Sequence, residues 1–311
     1  MRCHAGKTAW LLSKERTIVK NVEFQYTTID FFKNCRILKF DKYEGLLMSK
    51  QQIVLAILAN AGGVGKTTIA VHLAYALASK GISVGLIDLD PQRALDVFCG
   101  LPPVDYEQSV VKVLSKGYQG SWPFTQVWDS EKIEVCQGHP AMSQMADELV
   151  VRRRGEYALS DRLRLSPTEH DVVILDCPAT LGKICENAVA ASTHVLIPIQ
   201  LEMKSISGVA DLVQWLLGIT RELQLDPAPP ILGLVPSLYS KSKSIHRQYL
   251  QQLPEVAEQL QVNLYPEVRD SSEFKNASAL GLPLQRHRPN HGACEDFKVL
   301  ANDIAALSRS R

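Results

Sequence analysis

The sequence predicts an α/β fold, with one mostly parallel, doubly wound sheet and helices on both faces. Three observations predict it. Short apolar runs of strand length alternate with stretches whose apolar residues recur at helical spacing. Those runs are continuous rather than alternating, as in strands buried on both faces. The chemically equipped residues, Gly62 to Thr68, Asp90 and Asp176, follow or end such runs, at the edge where open α/β sheets bind ligands.

The elements follow in order. Residues 1–47 keep little sustained period of either kind, and Met48 then opens a short polar lead into a buried strand. Residues 1–47 are therefore expected to be an extension of uncertain order, with Met48 as the natural start and 48–311 as the domain. Ile53–Ala59 is the first apolar run. Residues 66–80 carry Ile69, Leu73, Ala76 and Leu77 at helical spacing, and Gly81 closes that helix. Val84–Ile87 is the next strand and runs into Asp88-Leu89-Asp90-Pro91. Further strands are expected at Ile133–Cys136, Val172–Leu175, Val195–Ile199 and Ile231–Val235. Helical patterns fill 107–115, 141–165, 184–191, 206–223, 244–260, 272–280 and 294–308, and Pro227–Pro230 reads as a turn.

Composition narrows the class. A chain of 311 residues that is 46% hydrophobic suits one or two globular domains. A net charge of +1 excludes a globally basic nucleic-acid binder, so any such contact is a local patch. Seven cysteines without a CxxC pair fit the reduced, mostly buried thiols of a cytosolic protein. No apolar run approaches the roughly 20 residues of a membrane span, and the early AWLL is too brief for a signal-peptide core.

NAGGVGKTT (60–68) has the parts of a phosphate cradle. Glycines let successive backbone N–H groups turn inward around phosphate oxygens, a lysine supplies charge and a hydroxyl takes Mg²⁺. Gly62, Gly63 and Gly65 supply the turn, with Val64 between them; Lys66 is the cation, Thr67 the metal ligand, and Thr68 completes the segment. An apolar strand precedes it and an amphipathic helix follows, which puts the loop at a helix N-terminus. This is the P-loop NTPase type, with asparagine at position 60 where the strict pattern has glycine. Asp176 ends the strand of HDVVILDCPA, where a carboxylate can hold Mg²⁺ through water. Asp90, just past another strand in DLDPQ, can orient an attacking water.

With GGVGKTT (62–68), LIDLDPQ (86–92), VVILDCPATLG (172–182), HVLIPIQLEMKSISGV (194–209) and PEVRDSSEFKNASALGLPL (266–284) in order, the chain resembles the ParA/MinD family of ATPases from about Gln51 to Leu307. It most resembles the ParA branch, which segregates plasmids and chromosomes or positions large cargoes. The resemblance implies a cytoplasmic, nucleoid-associated ATPase that forms a homodimer around ATP and Mg²⁺. The ATP dimer would bind DNA without sequence preference, and a small adaptor protein on the cargo would stimulate hydrolysis. Carried over by position, Lys66 holds the β- and γ-phosphates, Thr67 binds Mg²⁺, Asp90 supports water activation and Asp176 is the outer-sphere metal acid. Asp88, on the same strand end as Asp90, is a second candidate.

One departure stands out. The family pattern has a lysine before the double glycine that reaches across the dimer to the partner's ATP; here that position is Ala61. A positive charge near a transferring phosphoryl group stabilises developing negative charge. The carboxysome-distribution ATPases resemble this chain in lacking that lysine. A substitute lysine is expected near the carboxyl ends of the strands: Lys204 in the QLEMKS loop first, Lys183 in ATLGK second.

Two basic clusters are candidates for DNA. Lys241, Lys243 and Arg247 follow a strand end, in a region that is basic and near the DNA surface in ParA proteins. Arg152–Arg154 form a charge run expected on a helix. Three other functions compete: an ATP-binding, dimerising module with little hydrolysis, a MinD-like membrane-cycling ATPase, and an amide-forming synthase relative. The last helix carries Phe297, Leu300, Ile304 and Leu307 at core spacing and ends in SRSR, against a membrane-targeting helix. An iron–sulfur reductase is disfavoured, because Cys136 and Cys177 lie outside that family's cluster-binding motifs.

Overall fold

The computed structural model describes residues 52–309. Among the described residues, eight strands form one sheet in the order β3-β4-β2-β5-β1-β6-β7-β8. They are β1 (Ile53–Ile57), β2 (Val84–Asp88), β3 (Phe124–Gln126), β4 (Ile133–Cys136), β5 (Val172–Asp176), β6 (His194–Gln200), β7 (Ile231–Ser237) and β8 (Asn263–Leu264). All pairings are parallel except β3 against β4. The central strands β1, β2 and β5 are buried at every position, which explains their continuous apolar runs.

Helices cover both faces, and the strands between the two short edge strands β3 and β8 divide their side chains between two cores. Ile53, Leu55 and Ile57 of β1 pack with α1 (Lys66–Ala78) and, from the far end of the chain, Phe274, Phe297 and Ile304. Val54 and Ala56 face the other way, toward Met142, Leu159, Val189 and Leu212. These last belong to α4 (Met142–Val151), α5 (Ala158–Leu165), α6 (Lys183–Ala191) and α7 (Met203–Glu222). The remaining helices are α2 (Ala94–Cys99), α3 (Val110–Leu114), α8 (Ser244–Leu260), α9 (Ser272–Ala279), α10 (Leu284–His287) and α11 (Lys298–Arg309). The doubly wound α/β expectation holds. Residues 1–47, with the Met48 start, lie outside the described residues.

Several boundaries differ from the sequence expectation. The pattern over 141–165 is two helices, not one. α4 stops at Val151, and Arg154 takes a left-handed conformation (φ 58°) that no helix interior accepts. Gly155 follows it because any Cβ there would lie 1.9 Å from the Leu149 carbonyl oxygen. Arg152–Arg154 therefore occupy a turn rather than a helix. The pattern at 107–115 divides into a 3₁₀ turn, Tyr106–Gln108, and α3. Likewise 294–308 is a 3₁₀ segment, Gly292–Phe297, leading into α11. Helix α7 begins at Met203, earlier than 206, so Lys204 stands in a first helical turn and not in a loop.

Candidate functional site

The segment between β1 and α1 is shaped as a cradle. Gly63 and Gly65 adopt left-handed φ values of 75° and 87°, a region that glycine enters without steric cost. Helix α1 starts directly after Gly65, with the Ile69 N–H donating to the Gly65 carbonyl at 2.9 Å. The loop thus sits on the N-terminus of a 13-residue helix, where unpaired N–H groups and the backbone dipole favour an anion. Lys66, the first residue of α1, is 8% exposed.

Neighbouring strands bring the acids in. Asp176 ends β5 in register with Ile57 on one side and Asp88 on the other. The Thr67 hydroxyl donates to Asp176 Oδ2 at 2.6 Å, while Asp176 Oδ1 is buried and has no partner. Burial pushes the Asp176 carboxyl up to about 6, although the Thr67 bond and the Lys66 charge pull the other way. Asp88 is fully buried and accepts the Asp90 N–H at 3.0 Å through Oδ1, leaving Oδ2 without a partner. Burial first, then Asp176, drives its carboxyl well above the usual range. Gly138 presses on this pair: a Cβ there would stand 3.1 Å from Asp88 Cγ and 3.1 Å from the Asp90 carbonyl oxygen. Half-buried Asp90 accepts the Gln92 N–H at 2.9 Å and so also caps its own turn.

This donor set fits a nucleotide with a hard divalent cation. A hydroxyl and a carboxylate with an unpartnered buried oxygen meet beside a cationic residue, at the mouth of a glycine turn.

The remaining predicted residues lie around this centre. Ala61 borders an apolar cleft with Val64, Ile197, Pro198, Val209 and Leu212. Lys204 is exposed in the first turn of α7, which follows β6, the neighbour of β1. Lys183 is the first residue of α6 and is ion-paired with Glu186. Lys241 and Lys243 are exposed in the turn before α8, and Arg247 is exposed in its first turn. The Arg247 guanidinium donates to the Lys241 carbonyl and folds the cluster together. In the other cluster, Arg152 donates to the Leu114 carbonyl at 2.6 Å. Arg154 pairs with Asp161 at 3.1 Å and lies 4.7 Å from the Tyr157 ring, so two of these three arginines hold the turn together.

Sequence reasoning passed over Ser237, which ends β7 and donates from Oγ to the Val64 carbonyl at 2.7 Å. Its one signal was a hydroxyl residue directly after the apolar run Ile231–Val235 and Pro236.

No helix among the described residues is long and apolar enough to cross a membrane. A family model described as an AAA domain, AAA_31, matches residues 52–226. The sporulation initiation inhibitor protein Soj of Bacillus subtilis is 28% identical over 265 residues, covering 81% of this chain and 98% of Soj. Among solved structures, apo McdA from Cyanthece superposes with a TM-score of 0.72 at 21% identity, over 81% of this chain and 99% of McdA, a likeness of fold. The cobyrinic acid a,c-diamide synthase of Mycobacterium smegmatis, with bound ADP and magnesium, gives a TM-score of 0.67 at 26% identity, over 84% of this chain and 96% of the synthase. With the phosphate loop, the acids at the strand ends and the AAA-domain match together, the chain belongs to the ParA/MinD family of P-loop ATPases.

Proposed function

We propose that the chain is a ParA-like positioning ATPase, a dimer switch run by ATP. Two copies close over ATP and Mg²⁺, and the dimer binds nucleoid DNA without sequence preference. A small adaptor protein on an intracellular cargo, a plasmid, chromosome or carboxysome, prompts hydrolysis and release. The observation that carries the nucleotide part is the Thr67–Asp176 hydrogen bond with its unpartnered carboxylate oxygen beside Lys66.

The residues divide the work. The backbone from Gly62 to Thr68 cradles the phosphates and Lys66 neutralises them. Thr67 and Asp176 would hold the metal, the hydroxyl directly and the carboxylate through water. Mg²⁺, when bound, neutralises charge on the transferring phosphoryl group. Asp90 orients the attacking water, with Asp88 fixing the turn that carries it. Lys204 supplies across the dimer the charge that Ala61 lacks. Lys241, Lys243 and Arg247 bind DNA phosphates.

The synthase likeness favours a second function, ATP-dependent amide formation. Sedimentation with and without ATP, followed by DNA titration at several salt concentrations, separates them. A positioning ATPase dimerises with ATP, and its DNA affinity falls as salt rises. Lys66→Ala abolishes the dimer. Dimerisation that persists in Lys66→Ala overturns the nucleotide site. A salt slope unchanged in the Lys241→Ala/Lys243→Ala/Arg247→Ala variant moves the DNA surface elsewhere.

A further inference from the structure

We propose that Ser237 and the turn after it relay the state of the phosphate loop to the basic segment Lys241–Arg247, so that nucleotide sets the affinity of that segment for DNA. This rests on the nucleotide and DNA functions proposed above.

The relay is a continuous set of bonds. Ser237 is 1% exposed, and its hydroxyl donates at 2.7 Å to the carbonyl of Val64, a residue 173 positions away that is itself 2% exposed. Val64 lies between Gly63 and Gly65, the two left-handed glycines that shape the cradle. Any rearrangement of that peptide on closing around a phosphate must therefore carry the hydroxyl along or leave two buried polar groups unpaired, which is costly in a dry interior.

The next residue converts that constraint into a position for the cations. Leu238 has φ 53°, in the left-handed region that a bulky side chain rarely occupies. Such a conformation persists only where both flanks are pinned, and here they are. Ser237 is tied to the loop. Beyond Leu238, the Tyr239 N–H donates to the Val268 carbonyl at 3.0 Å, and the Asp270 N–H donates to the Tyr239 carbonyl at 2.8 Å. The Ser240 N–H then donates at 3.1 Å to Nδ1 of His246, which is 1% exposed and packs beside the Tyr239 ring. Lys243 closes the turn through its N–H to the Ser240 carbonyl at 3.2 Å. Three residues, Leu238, Tyr239 and Ser240, thus separate the phosphate-loop contact at Ser237 from Lys241. The single strained residue between them is where a shift at Ser237 is absorbed or passed on.

A purely structural role for these bonds predicts lost stability and nothing else. A relay predicts a lost ratio. Affinity for a short DNA duplex is measured by fluorescence anisotropy at one salt concentration, with ATPγS and then with ADP. ATP-driven dimerisation is measured in parallel by sedimentation. In the parent, the ratio of the two affinities reports the coupling. Ser237→Ala is expected to lower that ratio about tenfold, the scale of ordinary allosteric couplings, while dimerisation with ATPγS stays at the parent level. Ser237→Thr, which keeps the hydroxyl, restores the ratio. Leu238→Gly, which accepts the left-handed turn without strain, also lowers the ratio; if Ser237→Ala does not fold, it carries the test alone.

The relay is overturned if Leu238→Gly and Ser237→Ala keep the parent ratio, or if the ratio falls only because dimerisation falls. A parent that dimerises with ATPγS but binds no DNA overturns the DNA function itself, and the relay with it. A parent that binds DNA equally with either nucleotide overturns the relay and the release on hydrolysis, while ATP-driven dimerisation stands.

Discussion

Lowering the pH from 7.5 to 5 is expected to act against stability at His72 of the phosphate-loop helix, as it does at His170 and His246, whose pKa values burial also lowers. The His72 ring is fully buried in α1, stacked on Phe297 at 5.1 Å and edge-on to Phe274 at 4.8 Å. Nδ1 lies 2.6 Å from the Thr68 carbonyl, and Nε2 accepts the Leu284 N–H at 3.1 Å. Only the neutral ring protonated at Nδ1 satisfies both, because a second proton at Nε2 would face the Leu284 N–H donor to donor. Burial pushes the His72 pKa down from 6.5 to about 4, against the Thr68 bond. The unfolded chain thus takes up this proton first. The stability contributed by the neutral ring is full above pH 6.5 and is lost as pH falls, with the loss complete below about 4. At about 1.4 kcal/mol per pKa unit, the full loss is roughly 3 kcal/mol, of which about 2 kcal/mol is gone by pH 5. Equilibrium urea unfolding of the parent and of His72→Gln at pH 7.5 and at pH 5 measures it. Asp88 and Asp176, with raised pKa values, contribute in the opposite sense, and His170 and His246 in the same sense, in both proteins, so the difference between the two pH dependences isolates His72. The parent should lose about 2 kcal/mol more than the variant over this interval. Parallel pH dependences would refute the reasoning.

Three further outcomes follow from the geometry. Asp90→Ala should keep ATP binding but slow phosphate release about a hundredfold, leaving the protein on DNA; normal turnover would move the role to Asp88 or to neither. Lys204→Ala should weaken ATP-driven dimerisation while leaving the monomer's melting curve unchanged, and adding Ala61→Lys should restore the dimer in sedimentation. A Lys204→Ala protein that dimerises like the parent directs the same test to Lys183. Gly155→Ala should cost about 2 kcal/mol in urea unfolding, because its methyl would run into the Leu149 carbonyl; a neutral change would mean that the turn relaxes freely.

The parts legible in the sequence were those whose physics is local. Strands buried on both faces were legible as the apolar runs Ile53–Ala59 and Val172–Leu175, because every position is apolar up to Asn60 or Asp176. The cradle read as one because Gly63 and Gly65 occupy backbone conformations that favour glycine. The break at Arg152–Arg154 was not legible, since apolar spacing continues through Val150 and Val151 and the left-handed residue is an arginine. Strand β3 has three residues and β8 two, too short to carry a period. The burial of Asp88 against Asp176 and Gly138, and the Ser237–Val64 bond, join segments that only the folded sheet brings together. Lys204 was identified as a candidate, but its place in a helical turn depends on where α7 starts.

The strand order has a consequence for synthesis. Strand β1, which ends in the phosphate loop, leaves the ribosome first among the described strands, yet its two neighbours are β5 and β6, whose pairings with it begin at Val172 and His194. A nascent chain must carry an all-apolar strand, unpaired on both edges, for more than a hundred residues before either partner exists. Closing loops of that length is slow, and an open apolar strand is prone to association with other chains. The nucleotide cradle is therefore among the last features to form, and a truncated product ending before β5 has the loop sequence without its support. Chaperone capture of ribosome-bound chains should peak while the segment between β2 and β5 is being made and fall once β6 has emerged.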